Sequence, residues 1–135
     1  MYFKIFLFAI YMAASVNGMA QKVEANRYYV SISFHSYGIG TPDAKPLNRY
    51  IAQFKKANKI KSISADHIGP LGREGEYKLA FSLKELNPKQ RKSFIKNLNT
   101  VVESMKDRGS AKLIINETIL PTSIPERATI EKQKF

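Results

Sequence analysis

Two histidines and a few charged neighbours are the residues of this sequence whose types could do chemistry. His35 ends one strand-like segment, and His67 follows Asp66 near the end of another. Two imidazoles with carboxylates could hold Zn²⁺ or a similar ion, or act as a general acid and base. The candidate polar cluster consists of His35, Asp66, His67, Arg73, Glu74 and Glu76. Solvated ion pairs at the strand ends are the simpler interpretation, so we predict no metal and no cofactor.

Several other chemistries are excluded by residues that the chain lacks. The 135 residues include no cysteine, so there is no disulfide, thiol nucleophile or iron–sulfur cluster. The segment from Gly38 to Asp43 begins as G-x-G, but Asp43 replaces the third glycine of a dinucleotide fingerprint. Neither a P-loop nor a G-x-S-x-G motif is present. These absences favour a protein that is not an enzyme.

The basic charge is concentrated on two predicted helices. The sequence has 22 Lys and Arg against 11 Asp and Glu, a formal net charge of +11. Such a surface could attract nucleic acid, acidic polysaccharide or anionic lipid headgroups, or could simply be a solvated helical face. The candidate polyanion-binding residues are Lys45, Arg49, Lys55, Lys56, Lys59, Lys89, Lys92 and Lys96.

The first twenty residues have the pattern of a secretory signal peptide. Lys4 precedes an uninterrupted apolar run over residues 5–14, and Gly18 and Ala20 are small residues before a cleavage site at Gln21. Cleavage after Gly18 and retention as a membrane anchor are the alternatives. Small exported eukaryotic domains usually carry disulfides, so a chain without cysteine favours a bacterial periplasmic or secreted setting.

The rest of the chain alternates between strand-like and helix-like periodicity. Apolar residues recur at every second position in four segments and at helical spacing in two. The strands are predicted at residues 27–35, 60–68, 77–83 and 111–120, and the helices at 47–58 and 87–108. In the second helix, Asn87 is the predicted N-cap, with Pro88 and Gln90 completing the pattern of a capping box.

The order strand–helix–strand–strand–helix–strand predicts an α+β, ferredoxin-like split βαβ fold. Its antiparallel sheet has the spatial order 4-1-3-2, with both helices on one face and the second strand at an edge. We predict a short arm at residues 21–26, the domain at 27–120, and a flexible tail at 121–135 that lacks periodicity.

Three classes of function are compatible with the sequence. The first is a non-catalytic binding or structural module of the bacterial cell envelope, which meets another envelope protein or a second copy through its open sheet face. Tyr29, Lys78 and Ile114 are the candidate contacts on that face. The second is polyanion binding by the helices, although an RNA-recognition motif is disfavoured because the RNP1 pattern is absent. The third is a small enzyme or metal-binding protein that uses the His35 and His67 end of the sheet.

Overall fold

The computed structural model describes residues 25–135 and contains two helices and five strands in that range. The signal-peptide prediction for residues 1–20, and most of the predicted arm, fall outside the described residues. The elements in chain order are β1 (Asn26–Ser36), α1 (Lys45–Asn58), β2 (Ser64–Gly69), β3 (Tyr77–Phe81), α2 (Pro88–Ser104), β4 (Gly109–Ile119), a 3-10 turn (Pro121–Ser123) and β5 (Thr129–Lys134).

The five strands form one antiparallel sheet in the order β4-β1-β3-β2-β5. The predicted ferredoxin-like arrangement and its order 4-1-3-2 are therefore confirmed. The inward side chains of β1 and β3 pack with Leu47, Ile51 and Phe54 of α1, and with Phe94 and Leu98 of α2, in one core. Both helices thus cover the same face of the sheet.

Local sequence signals explain where the helices begin and end. The Asn87 side chain accepts a 2.8 Å hydrogen bond from the Gln90 backbone N–H, and the Gln90 side chain accepts one of 3.0 Å from the Asn87 N–H. This reciprocal pair is the predicted capping box of α2. At the other helix, Lys59 adopts a left-handed conformation (φ 54°) that ends α1.

The prediction of a flexible tail at residues 121–135 is wrong, and so is the edge position predicted for β2. Residues 129–134 form β5, which pairs with β2 in the register Asp66 opposite Lys132. Phe135 then stacks on Phe81 of the core, with ring centroids 5.8 Å apart. Most side chains of β5 are exposed, so the strand has no apolar periodicity, and its backbone pairing leaves no signal in the sequence.

The segment that joins β4 to β5 crosses the sheet on the face opposite the helices. β4 and β5 lie at opposite edges, so residues 120–128, here called the crossover segment, must span the sheet between them. Ile124 of this segment packs against a second apolar cluster that includes Tyr28, Ile68 and Ile119. The face predicted to be open is therefore partly covered by the chain itself.

Side-chain alternation is interrupted between Tyr28 and Val30 of β1. Val30 faces the helices in the main core, yet Tyr28 belongs to the cluster on the other face. Opposite this point in β4, Asn116 has a positive φ of 53°, a conformation that asparagine tolerates better than most residues. Tyr29 consequently lies against α2, where its ring centroid is 5.7 Å from the Arg91 guanidinium carbon. The prediction that Tyr29 belongs to the open sheet face is wrong.

Candidate functional site

The polar cluster predicted around the two histidines does not assemble. Asp66 and His67 are consecutive residues of β2, so their side chains point to opposite faces of the sheet. The His67 ring stacks on Tyr77 at 4.8 Å, and Tyr77 stacks on Phe34 at 4.4 Å, which places His67 on the helix side. His35 is exposed near the end of β1, opposite Ser110 of β4.

The remaining members of that cluster lie in the hairpin between β2 and β3. Arg73 and Glu74 are exposed, and the Glu76 carboxylate accepts a 3.3 Å hydrogen bond from the Glu74 N–H. Asp66 is too far back along β2 to join them, because the strand continues to Gly69. Within residues 25–135, no group of three or more His, Asp or Glu side chains is placed to hold a metal ion.

Two of the three predicted contacts, Lys78 and Ile114, lie on the sheet face opposite the helices, and Tyr29 does not. The Lys78 ammonium pairs with the Glu117 carboxylate, which in turn accepts a hydrogen bond from the Ser31 hydroxyl. Lys78 and Glu117 keep only 16% and 18% of their side-chain surface exposed, so this ammonium is engaged within the domain. Ile114 is half-buried, while Tyr29 lies on the other side of the sheet.

The basic residues gather at one end of the helix layer. The two helices run antiparallel, so the C-terminal end of α1 lies beside the N-terminal end of α2. Residues 58–62 line a concavity of about 380 Å³ together with Glu85 and Gln90. The Ser64 N–H also donates a 2.9 Å hydrogen bond to the Glu85 carboxylate, which fixes the loop between β3 and α2 against this end.

We call this region the basic end, and it comprises residues 55–62 and 84–92. Its eight basic residues are Lys55, Lys56, Lys59, Lys61, Lys84, Lys89, Arg91 and Lys92, and Glu85 is the one carboxylate in the two segments. Lys55 and Arg91 are half-buried and the other six are exposed. Unbalanced charge of one sign attracts a polymer of the opposite sign.

Three of the predicted polyanion-binding residues are not part of the basic end. Lys45 and Arg49 lie at the opposite end of α1, where Lys45 forms a 3.5 Å ion pair with Asp43. The Asp43 N–H donates a 3.1 Å hydrogen bond to Asp107, so carboxylates balance the cations there. Lys96 is exposed near the middle of α2.

A cleft opens on the face opposite the helices, where β1 separates from β3. β1 pairs with β4 from Asn26 onward, but its pairing with β3 begins only at Val30 opposite Phe81. The resulting gap is a cleft of about 820 Å³ between the start of β1 and the adjoining ends of β2, β3 and β5. Glu85 lines both this cleft and the smaller concavity, so the cleft adjoins the basic end.

Charged and hydroxyl-bearing side chains line this cleft. The Tyr28 hydroxyl donates a 2.7 Å hydrogen bond to Asp66 Oδ2, and Lys132 Nζ lies 3.1 Å from Asp66 Oδ1. Burial, together with the hydrogen bond and charge of Asp66, raises the pKa of the Tyr28 phenol well above its ordinary range. Tyr28 therefore remains a donor, and Asp66 is held between a phenol and an ammonium group.

Arg27 and Lys84 also line the cleft, but they are not part of the network around Asp66. Within the part of the chain that the structure describes, Arg27 and Lys84 have no carboxylate at ion-pair distance. Both are exposed and line the cleft with the hydroxyl groups of Ser64 and Ser82. The sequence does not indicate this cleft, because it forms where the β1–β3 ladder stops at Val30 and where the unpredicted β5 brings Lys132 beside Asp66.

Comparisons with known proteins found no match, so only the fold of the described residues can be assigned to a class. No family model, no curated protein and no solved structure matches the chain. Neither helix of residues 25–135 is long and apolar enough to cross a membrane. The described part is thus a ferredoxin-like α+β domain with a fifth edge strand, a basic end and a polar cleft beside it.

Proposed function

We propose that the protein is a non-catalytic binding module of the bacterial cell envelope and that it binds an acidic polysaccharide through the basic end. The observation that carries this proposal is the charge of residues 55–62 and 84–92, eight basic residues against Glu85 alone. Exposed ammonium groups bind a polyanion mainly by releasing its counterions, and such binding does not require an enclosed pocket.

The composition and shape of the basic end favour a polysaccharide over a single-stranded nucleic acid. Proteins that bind single strands stack bases on aromatic side chains, and neither segment of the basic end contains an aromatic residue. The ring of Tyr29, a residue of β1, lies beside the Arg91 guanidinium, which occupies one face of it.

The same features argue against a membrane surface as the ligand. Peripheral membrane binding combines basic residues with apolar side chains that enter the bilayer. In the basic end, Leu86 is buried in the core and Ile60 is half-buried against it. The cations also continue from the helix layer around the β3–α2 loop to the cleft, a curved path that suits a flexible polymer.

Export is part of this proposal, because acidic polysaccharides are components of the cell envelope and its surroundings. The support for export is the signal-peptide pattern of residues 1–20, in which Lys4 precedes an apolar run that is followed by small residues. N-terminal sequencing of the protein recovered outside the cytoplasm should begin at Gln21. Recovery of the protein only from the cytoplasm, with Met1 intact, would contradict the export step.

The binding proposal can be tested with polygalacturonate and two charge-matched variants. In the basic-end variant, Lys56, Lys59, Lys89 and Lys92 are changed to Gln. In the control variant, Lys45, Arg49, Lys106 and Lys112 are changed to Gln, which removes the same charge elsewhere. We expect the basic-end variant to bind roughly tenfold or more weakly and the control to bind much nearer to the wild type.

Salt and competing polyanions complete the test. Wild-type binding should weaken steeply between 50 and 200 mM salt, as counterion release requires. Equal losses in the two variants would mean that net charge alone drives binding, and would contradict the proposed site. Tighter binding to single-stranded DNA or to phosphatidylglycerol vesicles than to polygalacturonate would assign the basic end to a different ligand.

A further inference from the structure

We propose that the cleft beside the basic end binds one carboxylate-bearing sugar unit, with Arg27 and Lys84 as its anion-recognising residues. This inference rests on the proposed function, since such a unit is the repeating element of an acidic polysaccharide. It adds a second, more selective site on the face opposite the helices. The basic end supplies general attraction, whereas the cleft would recognise an individual residue of the polymer.

The size and depth of the cleft suit a small molecule. Its volume of about 820 Å³ lies within the range of roughly 300–1,000 Å³ that is typical of ligand sites. Ala80, with 1% of its surface exposed, is a small apolar residue in the lining of the cleft. Tyr28 lies beside it and reaches Asp66.

The cations of the cleft are of two kinds, and only one kind is available to a ligand. Lys132 is paired with Asp66, and this pair ties β5 to β2. Arg27 and Lys84 belong to β1 and to the β3–α2 loop, and they line the same cleft without a carboxylate partner in the described residues. A guanidinium offers two parallel N–H donors, which match the two oxygens of a carboxylate.

The remaining polar groups favour a hydroxylated ligand over a simple anion. Ser64 and Ser82 contribute hydroxyls that can both donate and accept, and Glu85 contributes acceptor oxygens. A sugar hydroxyl needs both kinds of partner. A small inorganic anion would use the cations alone and would leave the serine hydroxyls and the acceptor oxygens of Glu85 without a ligand partner. A sugar acid uses both sets of groups.

The test uses the exported, processed chain and three sugars that differ at one carbon. D-Galacturonate carries the carboxylate, D-galactose has a hydroxymethyl group in its place, and galactose 6-phosphate has a phosphate there. Binding is followed by ¹H–¹⁵N chemical-shift changes. We expect galacturonate to give saturable shifts at residues 25–28, at Ser82 and at Lys132, with galactose binding at least about tenfold more weakly.

Two double variants test whether Arg27 and Lys84 bind the sugar acid. Arg27→Gln with Lys84→Gln should weaken galacturonate binding at least about tenfold and leave the spectrum otherwise native, because both side chains are exposed. Lys106→Gln with Lys112→Gln removes the same charge from exposed positions outside both the cleft and the basic end, and should leave galacturonate binding unchanged. Equal binding of galactose, tighter binding of galactose 6-phosphate, or shifts confined to the helices would overturn the assignment.

The outcomes separate this inference from the proposed function. If polygalacturonate binds at the basic end while galacturonate fails to saturate the cleft, the inference fails and the proposed function stands. If galacturonate saturates the cleft while the basic-end variant binds polygalacturonate like the wild type, the cleft is a ligand site and the basic end is not. Failure of both ligands to bind overturns both.

Discussion

The Tyr28 hydroxyl of β1 donates a 2.7 Å hydrogen bond to the Asp66 carboxylate of β2, although β3 lies between these two strands. The phenol passes over Ala80 of β3, which packs with Tyr28 in the smaller apolar cluster. Lys132 completes the network from β5. Tyr28, Asp66 and Lys132 thus link β1 to β5, the edge strand that the sequence does not predict.

Removing the Tyr28 hydroxyl should destabilise the domain without altering its fold. Asp66 keeps only 18% of its side-chain surface exposed, so in Tyr28→Phe its carboxylate loses a partner that water replaces poorly. We expect a loss of about 1–3 kcal/mol in the free energy of unfolding, measured by urea denaturation. The matched control is Tyr37→Phe, since Tyr37 is 72% exposed. A loss of similar size in both variants would contradict a specific role for the Tyr28 hydrogen bond.

Replacing Phe135 with alanine should show how much this side chain contributes to the stability of the domain. Phe135 stacks on Phe81, and its N–H donates a 2.9 Å hydrogen bond to the Ile63 carbonyl. Because Phe135 is half-buried, we expect Phe135→Ala to lower the free energy of unfolding by about 1–3 kcal/mol, less than the roughly 3–5 kcal/mol for a fully buried phenylalanine.

Hydrogen exchange of the β5 amides shows whether the contact of Phe135 with Phe81 stabilises this strand. In the wild type, amides of β5 that face β2 should be protected, and Phe135→Ala should reduce their protection more than that of β1. Ile130→Ala is the control, because Ile130 is already 42% exposed. Unprotected β5 amides in the wild type would mean that the strand is not formed in solution.

The capping box should contribute measurably to the stability of α2. Asn87→Ala removes the acceptor of the Gln90 N–H, and we expect the free energy of unfolding to fall by about 0.5–2 kcal/mol. Asn97→Ala, at an exposed position within the same helix, should be neutral or slightly stabilising because alanine favours helices. Both are measured by circular dichroism during urea unfolding, and the prediction fails if the two variants lose equal stability.

Alkaline pH should destabilise the protein through two half-buried tyrosines. Burial raises the pKa of Tyr50 to about 12, and burial with the charge of Asp43 raises that of Tyr77 to about 12, whereas an unfolded tyrosine titrates near pH 10. Because the folded pKa is the higher one, this stabilisation is complete below about pH 10 and is lost as the pH rises toward 12.

Thermal unfolding between pH 8 and pH 11.5 tests this prediction. The wild-type melting temperature should fall above pH 10, and Tyr50→Phe should show a shallower fall because it has one raised phenol fewer. The two proteins differ only at this hydroxyl, so the difference between the two curves isolates Tyr50. Parallel curves would contradict the assignment.

The main architecture could be predicted because its signals are local. Alternation in β1 and β3, helical spacing around Phe94 and the Asn87 capping pattern each depend on residues a few positions apart. The cluster around His35 and His67 could not be judged in this way. His35, Asp66 and His67 lie in the sheet, but Arg73, Glu74 and Glu76 lie in the hairpin after β2, and Asp66 lies three residues before the end of that strand, so whether the members meet depends on where the strand ends.

The sequence by itself determined the six-element order, the excess of basic residues and the absence of cysteine chemistry, because composition and periodicity are properties of neighbouring residues. Only the tertiary structure decided that Lys59 and Lys89 lie at the same end, that β5 pairs with β2, and that Tyr28 turns away from the helices. Each of these depends on backbone pairing or helix packing between segments distant in the chain, for which local side-chain patterns carry no signal.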